Sequence, residues 1–496
     1  MRQHILVCLL IACTVMIPAG TSGQALFGFE TASTSACDDE WNQTYGGSGH
    51  ERVYGLASNG DGYMLVGPTD SYGSGADSVM VIRTDGEGAE RWNQTYGSRH
   101  TDLPAGIVHA EDGYVIAGLY SMDENSGEAW LFKIDEGGGM LWNKTYLHDP
   151  VNVSIAHHVA STADGGYIVA GRSINQSGTQ SSYMTPWLMK TNTGGDKQWT
   201  RFFTGLEDAG ATGVHQVQDG GYIIVVNSWK QEPGIGWLIR TDEEGNVTWQ
   251  QLLGEGSDGY IGDVQPTADG GFLASGAISD SHDEDASDLW LVKTDGTGHV
   301  EWNRRYGWSS GYWEGAEAIL PVYDGYLVAG VRTHPDGENP DANGWLVKIG
   351  PQGEILWSRE VGGAGDDAFK AVLQADTRRY IAAGYSSSFS RSQDMWLVSV
   401  RDPGLTLSLS GGMGITCRVE NQREEPRSDV QWSLTLRGPY VLSYTLHGSV
   451  DRIPAGETTE IRMLPVGFGP VEVAVTVGTA SLLDSFWMLG PIALEQ

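Results

Sequence analysis

Five carboxylates stand where a hard cation would find oxygen ligands. Asp283, Glu284 and Asp285 lie in the run SDSHDEDASD at 279–288, and Asp366 and Asp367 are adjacent further on. Such clusters suit Ca2+, which takes about 6–8 oxygen donors. The alternative is an acidic surface held in water. The TDEEGN and TDGTG turns have the outline of calcium loops. They lack the full D-x-D-x-D-G…E ligand set, and hairpin geometry accounts for them without metal. Histidine brings acid–base chemistry. His50 and His100 occupy similar places in successive repeats, and His157-His158 falls in a predicted inner strand, where one imidazole could face a channel. Adjacent residues of a regular strand point to opposite faces, so this pair is not expected to chelate together. Neither H-E-x-x-H nor G-x-S-x-G occurs, and carboxylates are too numerous for their order to single out a glycosidase pair. No catalytic residue and no cofactor is assigned; Ca2+ is the one ion considered.

A repeat sets the loops that carry these residues. The stretch WNQTYGG at 41–47 returns as WNQTYGS at 92–98. Its tryptophan recurs as Trp41, Trp92, Trp142, Trp199, Trp249, Trp302 and Trp357, at intervals of 50 to 57 residues. Between these pentads the order of features is constant. An Asp-Gly turn and an aromatic come first: DGYMLVG from Asp61, DGYVIAG from Asp112, DGGYIVAG from Asp164, and finally a degenerate RRYIAAG from Arg378. An alternating run follows, from MVIRTD at Met80 and WLFKID at Trp130 to WLVSVR at Trp396. A glycine then precedes the next pentad tryptophan by four residues, at Gly88, Gly138, Gly195, Gly245, Gly298 and Gly353.

Asp-Gly pairs suit tight hairpins, because glycine adopts positive φ without a steric penalty. Short runs rich in Val, Ile, Tyr and Trp are buried strands. Each unit therefore holds four strands. A single such sheet cannot cover both its faces, so neighbours must stack. Small residues ending motifs such as VIAG are expected where neighbouring sheets crowd near an axis. The prediction is an all-β fold: a seven-bladed β-propeller over residues 41–401. Trp41 has no hairpin glycine before it, and no pentad follows WLVSVR. Docking residues 41–45 on the sheet of Trp396 closes the ring with the N-terminal strand and removes an open edge. The rival closure uses LTLSLS at 405–410.

The W-N-x-T-Y, D-G-G-Y-x-x-x-G and W-L-x-K-T-D repeats resemble those of secreted archaeal and bacterial propellers of the quinoprotein-like (PQQ-like) type. The resemblance covers roughly residues 41–401 and implies that the seven pentad tryptophans dock between blades. It also raises a quinone-dependent dehydrogenase as an enzyme reading, although no recognisable clamp for the cofactor ring is present.

After RDPG at 401–404 the repeat stops, and alternating strands over 405–496 predict an immunoglobulin-like β-sandwich, a module of the kind that serves as spacer or docking unit. At the other end, Arg2, the apolar Ile5–Ile17 and a small-residue segment predict a secretory signal peptide over 1–23, followed by an N-terminal segment over 24–40. No later stretch is apolar enough to span a bilayer. Cys37 and Cys417 remain after cleavage. An oxidising compartment permits a bridge between them, and two separate thiols are the other outcome. Asn42, Asn93, Asn143, Asn152, Asn175 and Asn246 each begin an N-x-Ser/Thr sequon, which reads either as a glycan acceptor or as strand consensus.

With 63 acidic and 30 basic residues the formal charge is −33, which repels phosphate backbones and argues against nucleic acid. The expectation is a secreted or cell-surface, non-catalytic binding scaffold whose partner is a protein or glycan of the cell envelope. The alternatives are a propeller enzyme, either the dehydrogenase or a polysaccharide-active one, and a purely structural envelope component.

Overall fold

Strand and turn make up the described residues, with no helix, and the arrangement is propeller-like. The computed structural model describes residues 40–495 apart from 74–76, 124–125, 148–152, 178–180, 207, 229–234, 256, 280–286, 308–312, 335–340, 391, 424–425, 438–443, 466, 479 and 491. The expected leader, nearly all of the 24–40 segment, Cys37, Asn152, Asp283, Glu284 and Asp285 lie outside the described residues.

Each repeat folds as four antiparallel strands in chain order. The first sheet is Gly55–Ser58, Tyr63–Thr69, Ser78–Thr84 and Glu90–Tyr96. The innermost strands of the next five are Leu103–Ala110, Val153–Ser161, Ala209–Gln216, Asp258–Pro266 and Glu314–Val322. The seventh sheet contains Asp367–Gln374, Arg379–Ser386 and Asp394–Arg401. Its outer strand comes from the start of the chain: Trp41–Tyr45 pairs antiparallel with Asp394–Arg401, Trp41 opposite Ser399. Glu40 fixes this strand, taking both terminal nitrogens of Arg359 at 2.7 and 2.9 Å and the Arg401 amide at 3.0 Å. The LTLSLS strand pairs elsewhere, with Ile415–Asn421.

Middle strands are apolar on both faces, so every sheet needs two neighbours. Leu65 and Ile82 of the first sheet pack on Ile381 and Leu397 of the seventh. Met64 and Val66, on the opposite face, pack on Ile116 and Trp130 of the second. Each further pair of consecutive sheets shares its own buried cluster.

The pentads stitch the outer rims. Trp41 lies so close to Gly88, in the last hairpin of the first sheet, that an added Cβ would sit 2.5 Å from its ring. Trp142 on Gly195, Trp199 on Gly245 and Trp249 on Gly298 repeat the contact at 3.0, 2.7 and 2.9 Å. The hydroxyl closing the pentad donates to the carbonyl of the same glycine: Tyr45 to Gly88 at 2.5 Å, Tyr96 to Gly138 at 2.7 Å, Tyr306 to Gly353 at 2.5 Å, and Tyr146 to Gly195. Burial raises the pKa of all four phenols.

The turn aspartates do more than bend the chain. Asp164, Asp269 and Asp324 reach the buried lysines Lys190, Lys293 and Lys348 of their own third strands at 2.9, 2.8 and 2.8 Å, and Asp112 and Asp219 do the same for Lys133 and Arg240. Burial pushes the Asp164 carboxyl up, but hydrogen bonds from Thr162, Lys190 and Gly166 overcome this and bring it down to about 2. The seventh sheet has Ser399 in the lysine position and Thr377 in the aspartate position, so both partners are missing together. The second-hairpin aspartates act as backbone acceptors: Asp135 takes the amides of Gly137 and Gly139 at 2.9 and 2.8 Å, and Asp295 those of Thr297 and His299.

The glycine closing motifs such as VIAG serves a different purpose from the one expected. Its close neighbour belongs to its own sheet rather than the next. Inner strands carry a β-bulge, and the bulge drives a backbone carbonyl toward the glycine. A Cβ on Gly276 would lie 1.9 Å from the Tyr260 oxygen, on Gly330 1.9 Å from that of Gly315, and on Gly384 1.9 Å from that of Ala368.

Residues from Leu405 onward form two facing sheets. One holds Leu405–Ser410, Ile415–Asn421 and Thr458–Met463. The other runs in the order Ile492–Glu495, Ala480–Gly490, Gly467–Val477, Arg427–Arg437, Tyr444–Ile453. Cys417 is fully buried between them, and burial pushes its thiol up to about 12. This unit is no loose appendage. Its core is continuous with Trp357, Phe369 and Trp396 of the sixth and seventh sheets, and Ser358 bridges to Ser481. The connecting Asp402 binds Lys348 at 2.7 Å, and Arg427 donates to the Pro403 carbonyl at 2.8 Å.

The bulge account predicts a contrast between two glycines. Gly276→Ala, whose methyl meets backbone, is expected to cost about 1–3 kcal/mol. Gly213→Ala, whose methyl would lie 3.7 Å from Val225, is expected to be near neutral. Urea unfolding of the two variants measures the difference, and equal losses would refute the account.

Candidate functional site

The bulges also build the site. In the pairing of each inner strand with the next, one residue is skipped: Ala105, His157, Thr212, Gly262, Glu317 and Lys370. The first sheet places Tyr54 equivalently, between Glu51 opposite Thr69 and Gly55 opposite Val66. Freed from the ladder, these seven residues line one cavity of about 690 Å³ that touches all seven inner strands. A volume of this order suits a small organic ligand.

In the next position of these strands, Gly55, Gly106, Gly213, Ala318 and Ala371 leave space, while the third and fifth sheets place His158 and Asp263 there. His215 of the fourth sheet stands between them. Its ring centroid is 5.3 Å from that of His158, and its Nε2 is 3.6 Å from Asp263 Oδ1. Gln265 Nε2 contacts His215 Nε2 at 3.2 Å and Asp263 Oδ2 at 3.3 Å, and the Ile319 amide donates to Asp263 Oδ2 at 2.9 Å. Burial pushes the Asp263 carboxyl up, but the His215 contact and the Ile319 amide outweigh it and the net shift is downward. Burial takes His158 down to about 4, aided by His215 and opposed by Asp263. It takes His157 down to about 3, with the Arg172 charge adding to the effect. Nε2 of His157 and Nδ1 of His158 are buried without a hydrogen-bond partner.

Across the cavity Lys370 donates to Glu317 at 2.6 Å, and Tyr260 reaches the same carboxylate oxygen at 3.4 Å. Arg52 lies over the Tyr385 ring, 5.1 Å from its centroid, and its Nε donates to Gln393. Burial alone lowers the pKa of Arg172. The lining thus sets mostly self-paired polar groups among apolar ones, and the neutral imidazoles of His157 and His158 can donate or accept.

The expectation that His157 and His158 face opposite ways fails, because the bulge between Ala156 and His158 brings both to the cavity. Sequence carries a signal for these positions. The skipped residue stands seven places before the turn aspartate in each of the first six repeats, as His157 does before Asp164. His50 and His100 are elsewhere: His50 is exposed and 3.3 Å from Asp70, and His100 lies against Arg99.

Of the cation candidates, Asp366 and Asp367 lie among the described residues, and their settings differ. Asp366 is exposed, whereas Asp367 is fully buried, its Oδ2 taking the Gly363 amide at 2.8 Å and the Ser388 hydroxyl at 2.6 Å. Among the described residues no three His, Cys, Asp or Glu side chains are grouped to hold a metal ion. Of the sequons, Asn42, Asn93, Asn143 and Asn246 are exposed, and Asn175 lies on Tyr167–Ser177. Asn143 Oδ1 accepts the Trp130 indole at 2.6 Å. Asn303, which begins no sequon, does the same for Trp290 at 2.7 Å, so the contact belongs to the repeat and does not depend on a sequon. Among the described residues no helix is long and apolar enough to cross a membrane.

A difference in protonation predicts how stability responds to acid. The unfolded chain protonates its histidines as pH falls through about 6.5, while folded His157 and His158 resist until near 3 and 4. Their contribution to stability is therefore complete above about 6.5 and is lost progressively below it. Thermal melts from neutral to mildly acid pH should show this decline, and it should be shallower in His158→Gln.

No family model matches the chain, and no curated protein matches it. Among solved structures, a protein of unknown function from Dyadobacter fermentans aligns with a TM-score of 0.41 at 11% identity, over 73% of this chain and 97% of its own. Sqt1 from Chaetomium thermophilum gives 0.40 at 9% identity, over 73% and 100%. An acylaminoacyl peptidase from Pyrococcus horikoshii gives 0.41 at 10%, over 76% and 59%.

Proposed function

We propose that the chain is an exported, non-catalytic binding protein of the cell envelope: a seven-bladed β-propeller closed by its N-terminal strand, with an immunoglobulin-like sandwich fused to it. The pairing of Trp41–Tyr45 with the last sheet and the shared core between first and last sheets support the closed ring. The packing of two antiparallel sheets around one core in the C-terminal unit supports the immunoglobulin-like assignment. The docking of tryptophan on hairpin glycine supports kinship with quinoprotein-like propellers.

The observation that carries the functional reading is the cavity, which draws one bulged residue from every sheet and gathers Arg52, His157, His158, His215, Asp263 and Lys370 within it. A core that served packing alone would be apolar there, since buried polar groups are costly. The ligand enters this cavity, and the envelope partner docks on the loops around it. A rival reading, a polysaccharide-active enzyme, is favoured by the imidazole of His215 set against Asp263, an arrangement suited to proton transfer.

Thermal-shift screening of envelope-derived saccharides and organic acids tests the proposal, with a cavity-filling Ala105→Trp or Thr212→Trp variant that keeps the parental melt. The expected result is a ligand whose stabilisation disappears in the filled variant and which is recovered chemically unchanged. Equal stabilisation of the filled variant would refute the cavity reading. Turnover abolished by Asp263→Asn would decide for the enzyme.

A further inference from the structure

We propose that the strand Thr458–Met463, a free edge of the C-terminal unit, is a self-association surface that pairs with the same strand of a second copy of this chain. This surface is separate from the cavity and owes nothing to the ligand reading. The three-stranded sheet has the order Leu405–Ser410, Ile415–Asn421, Thr458–Met463. Leu405–Ser410 lies on the propeller side, near Ile355–Val361. Thr458–Met463 is the opposite edge, and among the described residues it pairs with Ile415–Asn421 alone. Its outer row of backbone amides and carbonyls is a template for a further strand.

Exposed edges are commonly blunted by a proline, a bulge or an inward-pointing charge. Thr458–Met463 has none of these. It contains no proline. Its register is unbroken, from Thr458 opposite Glu420 to Met463 opposite Ile415. Ile461 and Met463 point inward and are buried, whereas Glu460 and Arg462 face water. Apolar surface adjoins the end of the strand. Leu464, which follows it directly, is 66% exposed and lies against Gly414, where an added Cβ would sit 2.9 Å from it; the preceding Met413 is 83% exposed.

The charges select both the occupant and its register. A one-residue slip would exchange the faces, so antiparallel pairing of two copies must set Ile461 opposite residue 459, 461 or 463 of the other chain. The first choice puts Glu460 opposite Glu460, and the last puts Arg462 opposite Arg462. Like charges directly opposite are destabilising. The middle choice puts Glu460 of each copy opposite Arg462 of the other, and it is two-fold symmetric, so the contact closes at two copies. Within one chain Glu460 accepts from Arg418 at 3.1 Å and from Arg462 at 3.0 Å. Arg462 is 77% exposed and can turn to the neighbouring copy without stranding a buried charge. A single pair of six-residue strands covers a small area, which makes the dimer weak and concentration-dependent. The net charge of −33 on each chain opposes approach, but that field is screened beyond about 8 Å at 0.15 M salt.

Sedimentation velocity of the intact protein at physiological salt, from micromolar to several hundred micromolar, tests the pairing. The weight-average mass should climb from one chain toward two. Glu460→Arg and Arg462→Glu, each checked for an unchanged melt, should weaken dimerisation by about tenfold or more, because two symmetry-related pairs turn repulsive. Mixing the two variants should restore the dimer, since their reversed charges complement each other across the strand pair. Hydrogen exchange of the Thr458–Met463 amides in the unaltered protein gives a second reading and should slow at the higher concentrations. A mass of one chain throughout, single reversals without effect, a mixture as weak as either variant alone, or exchange independent of concentration would each overturn the proposal. Growth past two copies would do the same.

Discussion

Every sheet of the repeat is greasy on both faces, and this constraint governs the rest of the molecule. A sheet with one apolar face can rest on a single neighbour; one with two must be enclosed between neighbours. Leu65 and Met64 are consecutive, point to opposite faces and are both fully buried, one against the last sheet and one against the second. The array therefore cannot end in an exposed sheet. The Trp41–Tyr45 strand, the Glu40 ion pair and the contact of Trp41 with Gly88 all follow from the need to bring the first and last sheets together.

Much of this was legible from residue order, because period, turn chemistry and missing end strands are local properties. The four-strand unit and the pairing of 41–45 with the strand of Trp396 appear as read. What the order concealed lies in contacts between distant residues. An Asp-Gly pair announces a hairpin, but that Asp269 also neutralises the buried Lys293 depends on a strand more than twenty residues away. The simultaneous change in the last repeat, where Ser399 and Thr377 replace both partners, is a signal that comparison of the repeats contains.

The candidate site was less legible, for a specific reason. Alternation of side chains presumes a regular ladder, and the inner strands are irregular where they meet the cavity. A single extra residue turned His157 and His158 from a divergent pair into two linings of one space. The acidic loops drew attention by composition, yet Asp367 accepts from the Gly363 amide of its own loop and the Ser388 hydroxyl of the neighbouring one. Density of charge in a sequence is a poor guide to a site when backbone amides compete for the same oxygens. The fusion of the C-terminal unit was equally hidden, since Trp357 looks like every other pentad tryptophan and is instead part of a core shared with Val477 and Phe486.

The partnership of residue 41 with residue 399 has a temporal side. A ribosome delivers the chain in order, so the strand Trp41–Tyr45 waits until Asp394–Arg401 has been made before its complement exists. During that interval the early sheets can form, but the first of them keeps one oily flank uncovered, and the leading strand is an unmatched ribbon able to pair with the wrong edge. Completion consequently waits for the last sheet, and its cost in lost chain freedom grows with the length of the loop being closed. A protein organised in this way gains by holding off closure until the strand Asp394–Arg401 is available.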